Sequence, residues 1–529
     1  MSFKPTLSRI GLIALVSLFL TLADNIRFFS EVVAVYRPEG VNLLYIASTA
    51  IVLWGVTFIV LSVLTPHKLL RPVLAAVLIL SSLAAYFMNT YHVVIDDAML
   101  RNALQTDTAE AGDLLSLHLF AYLIGLGIVP AWLLWRVRLK RERPIKTLGK
   151  QLLSILGALL LIGATVVTFG KFYTSFFREH KPLRYHTNPD YWIYSLGKLI
   201  HDTWFKKHYP FTPVGTDARI PDNRRRTIVI FVVGEAARAD HFGLNGYVRD
   251  TTPNLSKEPH LVNFTHMYSC GTSTAHSVPC MFSPLRRETF DYEKARATEN
   301  ALDVLKHTGK VALLWRDNNS DSKGVAARIP YESFRSAPPN PVCDSECRDV
   351  GMLEGLNRFI DTHKDKHIMI VLHQMGNHGP AYYKRYPEAF ETYTPVCRNN
   401  RLEQCDRRSI VNAYDNALRY TDSFLARTIA LAKRYPDADV AVFYVADHGE
   451  SLGENGIYLH GLPYFVAPEA QKHVGAFLWL NDTFWHDIDT AALEAKRDKP
   501  VSHDWIFHTV LGLFGVQSDA YDPRLDLTR

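Results

Sequence analysis

Thr227-Ile-Val-Ile-Phe-Val-Val-Gly-Glu235 decides the fold. Thr227–Val233 is an unbroken run of β-branched and aromatic side chains, the pattern of a strand covered on both faces, as in parallel sheets. The run stops at Gly234, and a carboxylate, Glu235, follows at once. Comparable runs recur at Val311–Trp315, His367–Leu372 and Val440–Val445, with helical patterns at Glu299–Thr308, Val350–Thr362 and Ile410–Lys433 between them. Such alternation predicts an α/β sheet, in which ligands bind beyond the carboxyl ends of the strands. The residues just after each strand therefore carry the functional information.

Four strand ends place metal-competent side chains on one rim. The first runs into Glu235, the second into Asn319 and Lys323, the third into His378, and the fourth into Asp447-His448, with His460 twelve residues later. Glu235, Asp447 and His448 form an oxygen-and-nitrogen ligand set of the kind zinc accepts, three protein ligands leaving a fourth position for chemistry. His378 and His460 have three readings open: a second metal, substrate phosphate, or proton transfer. Asn319 and Lys323 suit a phosphate oxygen.

The nucleophile is sought in Cys270-Gly-Thr-Ser-Thr-Ala-His-Ser-Val-Pro-Cys280. Two cysteines bracket a hydroxyl-rich run, read as a constrained turn. A hydroxyl that reaches a zinc site loses its proton more readily, so Thr274 is a candidate nucleophile, with Thr272 and Ser273 equally allowed by spacing. All six cysteines follow residue 269, in close pairs at 270/280, 343/347 and 397/405. Of the 15 connectivities that six cysteines allow, this spacing favours the three nearest-neighbour bridges. No CxxC pair supports a zinc–thiolate alternative. Disulfides imply an oxidising compartment.

The first 170 residues are of another kind. A bilayer span takes about 20 apolar residues, and five segments qualify or nearly do: Ile10–Ala23, Val41–Leu64, Leu69–Met88, Leu115–Trp135 and Leu152–Phe169. The first resembles a signal-peptide core. It lacks a clear small-x-small cleavage site and is read as an uncleaved span continuing toward Phe28. Lys4 and Arg9, then His67, Lys68 and Arg71, then the basic cluster from Arg136 to Lys150 mark the cytoplasmic side. Five spans then put the α/β domain outside the cytoplasm, in agreement with the cysteines. Between the third and fourth spans lies an outer loop in which Asn102, Thr106 and Glu110 recur at four-residue spacing and share a helix face. Spacing alone makes that an ordinary solvated helix. Asp190–Phe205 mixes aromatics with Lys and His, as an interfacial helix does.

The net charge of +5 sits mostly beside the spans. No basic stripe is interleaved with stacking aromatics, which excludes a nucleic-acid binder. Scarce intramembrane charge and no evident internal repeat argue against a transporter. Ser283-Pro284 with Arg286 lacks the spacing of a sulfatase formylglycine motif.

The motifs GEAARADHFGLNGY, CGTSTAHSVPCMFS, WRDNNSDSKG, CRDVGML, HQMGNHGPAYYKRYP, NAYDNAL and DHGESLGENGIYLHG together resemble the phosphoethanolamine transferases of Gram-negative bacteria, a group that includes the mobilised colistin-resistance enzymes. The resemblance covers the whole chain. It implies a five-helix transmembrane domain (1–170), an interfacial linker (171–226) and a periplasmic domain of the alkaline phosphatase and sulfatase superfamily (227–529). It implies zinc ligands at Glu235, Thr274, Asp447 and His448, with Thr274 the nucleophile, and further catalytic histidines at His378 and His460. Substrate contacts are implied at Asn319 and Lys323, and donor contacts at Asn102, Thr106 and Glu110. The implied bridges are Cys270–Cys280, Cys343–Cys347 and Cys397–Cys405. The implied reaction moves phosphoethanolamine from phosphatidylethanolamine to lipid A in an inner-membrane monomer. A core-sugar acceptor and phosphoglycerol transfer are the alternatives.

Overall fold

The computed structural model describes residues 6–66, 68–105, 111–112, 114–140, 143–170, 172–173, 176, 181–204, 209–400 and 402–529. Two compact units emerge: Met1–Leu100 with Leu115–Phe205, and Arg101–Leu114 with Lys206–Arg529.

In the first unit, four helices among the described residues are long and apolar enough to cross a membrane: Asn42–Leu64, Leu70–Thr90, Leu117–Arg136 and Ile145–Thr168. A fifth span arises if the bent pair Arg9–Ala23 and Ile26–Val35 counts as one. The continuous first helix expected toward Phe28 is not what forms. It stops at Ala23, and the chain turns by 56°. Asp24 and Asn25 sit at the break, where Asn25 donates to the Leu20 carbonyl at 2.9 Å and accepts from the Asn188 amide at 2.8 Å. The side chain thus gives the Leu20 carbonyl a second donor beside the Asp24 amide, at the turn where the helix ends. The last span starts at Pro144, eight residues before the apolar run that predicted it. Proline at the first helical position is pre-set for a helix start, so Lys146 and Lys150 join the helix despite their charge. The helix read over Asp190–Phe205 forms as Asp190–Trp204.

The second unit is built on a seven-stranded sheet. Its strands, numbered along the chain, are β1 (Thr227–Gly234), β2 (Leu261–Asn263), β3 (Val311–Asp317), β4 (Tyr331–Ser333), β5 (His367–His373), β6 (Asp439–Ala446) and β7 (Ala476–Leu480). They lie in the order β2-β7-β6-β1-β5-β3-β4. From β6 to β4 all pairs are parallel, whereas β7 runs antiparallel to both β6 and β2. Every residue of β1, β3, β5 and β6 is buried, as their continuous apolar runs require. The 26-residue helix Arg407–Ala432 buries one face against β6. The helix expected at Val350–Thr362 is broken, a short turn at Asp349–Leu353 followed by Leu356–Thr362. All three nearest-neighbour disulfides form.

The bracketed segment is the main local surprise. Thr274–Phe282 is a nine-residue helix, not a turn. Ser273, extended at φ −153°, stands just before it. Gly271 is needed because a Cβ there would lie 2.6 Å from the His276 ring. Except for His276, every residue of this helix is buried, Pro279 included. Burial of its apolar face overrides the poor intrinsic helix preference of Thr, Ser and Pro.

Candidate active site

The parallel strands deliver their carboxyl ends to one edge. β1 ends in Gly234, where a Cβ would come within 2.6 Å of the Tyr444 ring, so only glycine lets β1 and β6 run this close. Glu235 follows. Next comes Ala236 in the left-handed region (φ 52°), unusual for a residue with a Cβ. Its amide donates to Asp447 Oδ1 at 3.2 Å and its carbonyl accepts the Tyr414 hydroxyl at 2.6 Å. β6 delivers Asp447 and His448 beside it. The helix Thr274–Phe282 then presents Thr274, its first residue, to the same point.

These four residues meet. Thr274 Oγ1 lies 3.1 Å from Glu235 Oε2, to which it donates, and 3.4 Å from His448 Nε2. His448 Nε2 lies 3.3 Å from Glu235 Oε1 and 3.4 Å from Asp447 Oδ2. Glu235, Asp447 and His448 are wholly buried, and their ligand atoms lie within 4.8 Å of one another.

The donor set tests well against a cation. Glu235 Oε1 and Asp447 Oδ2 are buried oxygens with no hydrogen-bond partner, a costly state for a carboxylate unless a cation answers it. His448 Nδ1 lies 2.8 Å from the Gly449 carbonyl, so it carries the proton and leaves the Nε2 lone pair facing both carboxylates. Two carboxylate oxygens and one imidazole lone pair, with no donor among them, form a metal site by their own chemistry. The electrostatics agree. Burial and then the Asp447 charge push the Glu235 carboxyl up. Burial also opposes ionisation of Asp447, but the neighbouring His448 and His373 rings and the Ala236 amide outweigh it and hold this carboxyl down.

Of the other expected residues, Asn319, His460 and His378 fall around this centre. Asn319 uses both amide hydrogens, on Glu235 Oε2 and on the Gln374 carbonyl, each at 2.8 Å. The His460 ring lies 4.1 Å from that of His448 and 5.8 Å from that of His378, centroid to centroid. Lys323, left-handed at φ 52°, donates from Nζ to the Ser320 carbonyl of its own loop. Asn102 lies on the helix Asp97–Gln105, whereas Thr106 and Glu110 lie outside the described residues.

Three supporting residues were given no role by the sequence, although Glu450 lies within DHGESLGENGIYLHG. Glu450, fully buried, places its two carboxylate oxygens 3.3 and 3.4 Å from His460 Nδ1. Gln471, also buried, pins the His460 loop by donating to Ser451 Oγ and the Leu459 carbonyl, with Leu459 itself left-handed at φ 62°. His503 accepts from the Cys270 amide at 3.1 Å through Nδ1 and donates to the Ala446 carbonyl at 3.0 Å through Nε2. It ties the segment leading to the Thr274 helix to the strand that delivers Asp447. Glu450 stands two residues after His448 and was open to notice. His503 and Gln471 reach the site only through tertiary structure.

A fully parallel sheet core, a buried metal-competent triad at its carboxyl edge and a hydroxyl on the adjoining helix define a hydrolase- or transferase-type centre of the sulfatase class. Residues 227–516 match the sulfatase family model, and residues 53–204 match the model described as phosphoethanolamine transferase EptA/EptB. Over the whole chain, the phosphatidylethanolamine transferase Mcr-1 of Escherichia coli is 44% identical, covering 100% of this chain and 98% of its own length. The phosphoethanolamine transferase EptA of Escherichia coli K12 is 34% identical over 99% and 97%. The solved integral membrane protein lipooligosaccharide phosphoethanolamine transferase A of Neisseria meningitidis superposes with a TM-score of 0.94 at 33% identity, covering 99% of each chain. The chain belongs to the phosphoethanolamine transferase family, a membrane enzyme family with a sulfatase-type catalytic unit.

Proposed function

We propose that this enzyme moves phosphoethanolamine from phosphatidylethanolamine to a phosphate of lipid A through a phosphoethanolamine–Thr274 intermediate. The observation that carries the reading is the position of Thr274 Oγ1, in contact with Glu235 and His448 at the first turn of a helix. The reading also draws on the full-length likeness to Mcr-1 and EptA.

In the first half-reaction Oγ1 forms a bond to phosphorus as the bond from phosphorus to the glycerol oxygen breaks. The hydroxyl proton is lost from Thr274, and the departing diacylglycerol takes up one proton. In the second, an oxygen of a lipid A phosphate attacks the same phosphorus and Thr274 leaves and regains a proton. Glu235, Asp447, His448 and Thr274 would hold one Zn²⁺, which lowers the proton affinity of a hydroxyl and offsets charge on a phosphoryl group. Glu235 Oε2 orients Thr274 by accepting its hydroxyl hydrogen. The positive end of the Thr274 helix favours the anionic group being transferred. His460 and His378 serve proton transfer at the leaving and entering oxygens. Lys323 and Asn319 stand on the loop that faces the phosphate, and Asn102, Thr106 and Glu110 hold the donor headgroup.

The protein is read as an inner-membrane monomer with a cytoplasmic N-terminus. In this reading residues 1–170 span the membrane, 171–226 lie at its surface and 227–529 form the periplasmic catalytic domain. The flanking basic residues and the three disulfides support that orientation. Adding an ethanolamine cation to lipid A reduces its negative charge and weakens its attraction for cationic peptides such as polymyxin. Mass spectrometry of lipid A from cells expressing the wild type and Thr274→Ala tests the proposal. A phosphoethanolamine adduct on lipid A with the wild type alone is expected. An adduct with the variant would overturn the nucleophile, and an adduct confined to core sugar would overturn the acceptor.

A further inference from the structure

One cavity of the membrane unit lies far in sequence from the transfer chemistry. It measures about 310 Å³ and is enclosed by three helix ends: the start of Arg9–Ala23, the end of Asn42–Leu64 and the start of Pro144–Thr168. Its polar end is under-satisfied. Arg9 donates one N–H to the Thr65 carbonyl. Its Nε is buried and, among the described residues, meets no partner. Ser62, 1% exposed, lines the same cavity with a buried hydroxyl that also lacks a partner. The other end is apolar, walled by Leu148, Leu152 and Ile155. Leu148 and Leu152 are exposed on the outer face of their helix, so the cavity opens along an apolar surface.

Among the described residues charge is one-sided here, and no acidic side chain lines the cavity. Residues Thr6–Leu7 pair in parallel with Arg138–Leu139, and the Lys140 amide donates to the Leu7 carbonyl. That pairing holds the basic loop beside Arg9. The N-terminus of Pro144–Thr168, which has no side-chain cap, contributes the positive end of a 25-residue helix.

We infer that this cavity binds an anionic phospholipid of the surrounding leaflet, its phosphate on Arg9 and Ser62 and one acyl chain along Leu148, Leu152 and Ile155. A guanidinium with unused donors, a buried hydroxyl and a helix N-terminus are the groups that recognise a phosphate. Basic pockets between membrane helices take lipids of this class. Among the described residues the lining offers no carboxylate, and this sets the selectivity, because the ammonium of phosphatidylethanolamine meets no acidic partner there. The site is therefore separate from the one that takes the donor lipid, and the inference does not depend on the reaction assigned above.

The test is native mass spectrometry of the full-length chain in detergent, titrated with phosphatidylglycerol or phosphatidylethanolamine. The wild type is expected to retain phosphatidylglycerol about tenfold better than phosphatidylethanolamine. Arg9→Gln should abolish that preference. Because Arg9 also holds the Thr65 carbonyl, Leu152→Trp provides a second variant. It fills the acyl end, leaves Arg9 in place, and should reduce phosphatidylglycerol retention by a similar factor. Equal retention of the two lipids by the wild type, a preference for phosphatidylethanolamine, or unchanged phosphatidylglycerol retention in both variants would overturn the assignment.

Discussion

Asn319 and Glu235 meet side chain to side chain, the amide Nδ2 donating to Oε2 at 2.8 Å. The second amide hydrogen is fixed on the Gln374 carbonyl, so the amide cannot turn away. One oxygen of Glu235 is thereby claimed by Asn319 and Thr274, and the other is left for a cation. This arrangement makes Asn319 an outer partner of the metal site, whatever it also does for substrate. Asn319→Ala should lower zinc affinity by about 10–100-fold, the usual cost of losing such a partner. Zinc content after dialysis against graded chelator measures it, and excess zinc should restore part of the activity. A variant that keeps full zinc affinity yet loses activity would assign Asn319 to substrate alone.

In the proposed reaction, Glu450 acts on the leaving group through His460, whose Nδ1 it holds. Burial opposes the protonated form of His460, but the Glu450 carboxylate outweighs it and holds the pKa above the ordinary value. With Nδ1 turned to Glu450, proton transfer is left to Nε2. Glu450→Ala should lower kcat on phosphatidylethanolamine by about 100-fold, the scale of general acid catalysis, with little change in KM. On p-nitrophenyl phosphoethanolamine, whose leaving group needs no proton, the loss should be far smaller. Glu450→Gln, which keeps an acceptor, should recover part of kcat. Equal losses on both substrates would mean that Glu450 only supports the loop.

His503 links the Cys270 amide to the Ala446 carbonyl while wholly buried. One ring nitrogen accepts and the other donates, so the ring must be neutral. Burial pushes its pKa down to about 4, against about 6.5 in the unfolded chain. The unfolded state therefore binds the proton first as pH falls. Stability is unaffected above about pH 6.5 and is lost between about pH 6.5 and 4, by about 3 kcal/mol in total. His503→Gln offers an acceptor and a donor without a titrating ring. It should flatten this limb of the stability–pH curve, as read by chemical denaturation of the full chain in detergent. An identical limb in the variant would place the titration elsewhere.

Much of the catalytic unit was readable because burial is written into composition. β1, β3, β5 and β6 are covered on both faces, so their sequences are unbroken apolar runs, and their ends point directly at Glu235, Asp447 and His448. β2 and β4 are three-residue edge strands, and β4 is fully exposed, so neither carries a pattern. The Thr274 helix was unreadable for the opposite reason. Thr, Ser and Pro speak against a helix locally, and the helix exists because the sheet buries it. His503 depends on a contact 233 residues away in sequence, a distance at which spacing carries no signal.

The Cys270–Cys280 bridge gains a new meaning from that helix. It joins the residue before Gly271 to the last turn of Thr274–Phe282, with Cα atoms 6.3 Å apart. It therefore clamps a nine-residue helix that has few local reasons to form. Closing a loop of this length restricts the unfolded chain by about 3 kcal/mol. Replacing both cysteines with Ser should lower stability by about that amount, and the opening should be local, centred on the helix. Hydrogen exchange followed by mass spectrometry of the full chain should show faster exchange over residues 270–282, with β1 and β6 still protected, and transfer activity should fall with the loss of helix protection. Unchanged exchange in this helix, together with full activity, would show that packing against the sheet alone holds Thr274 in place.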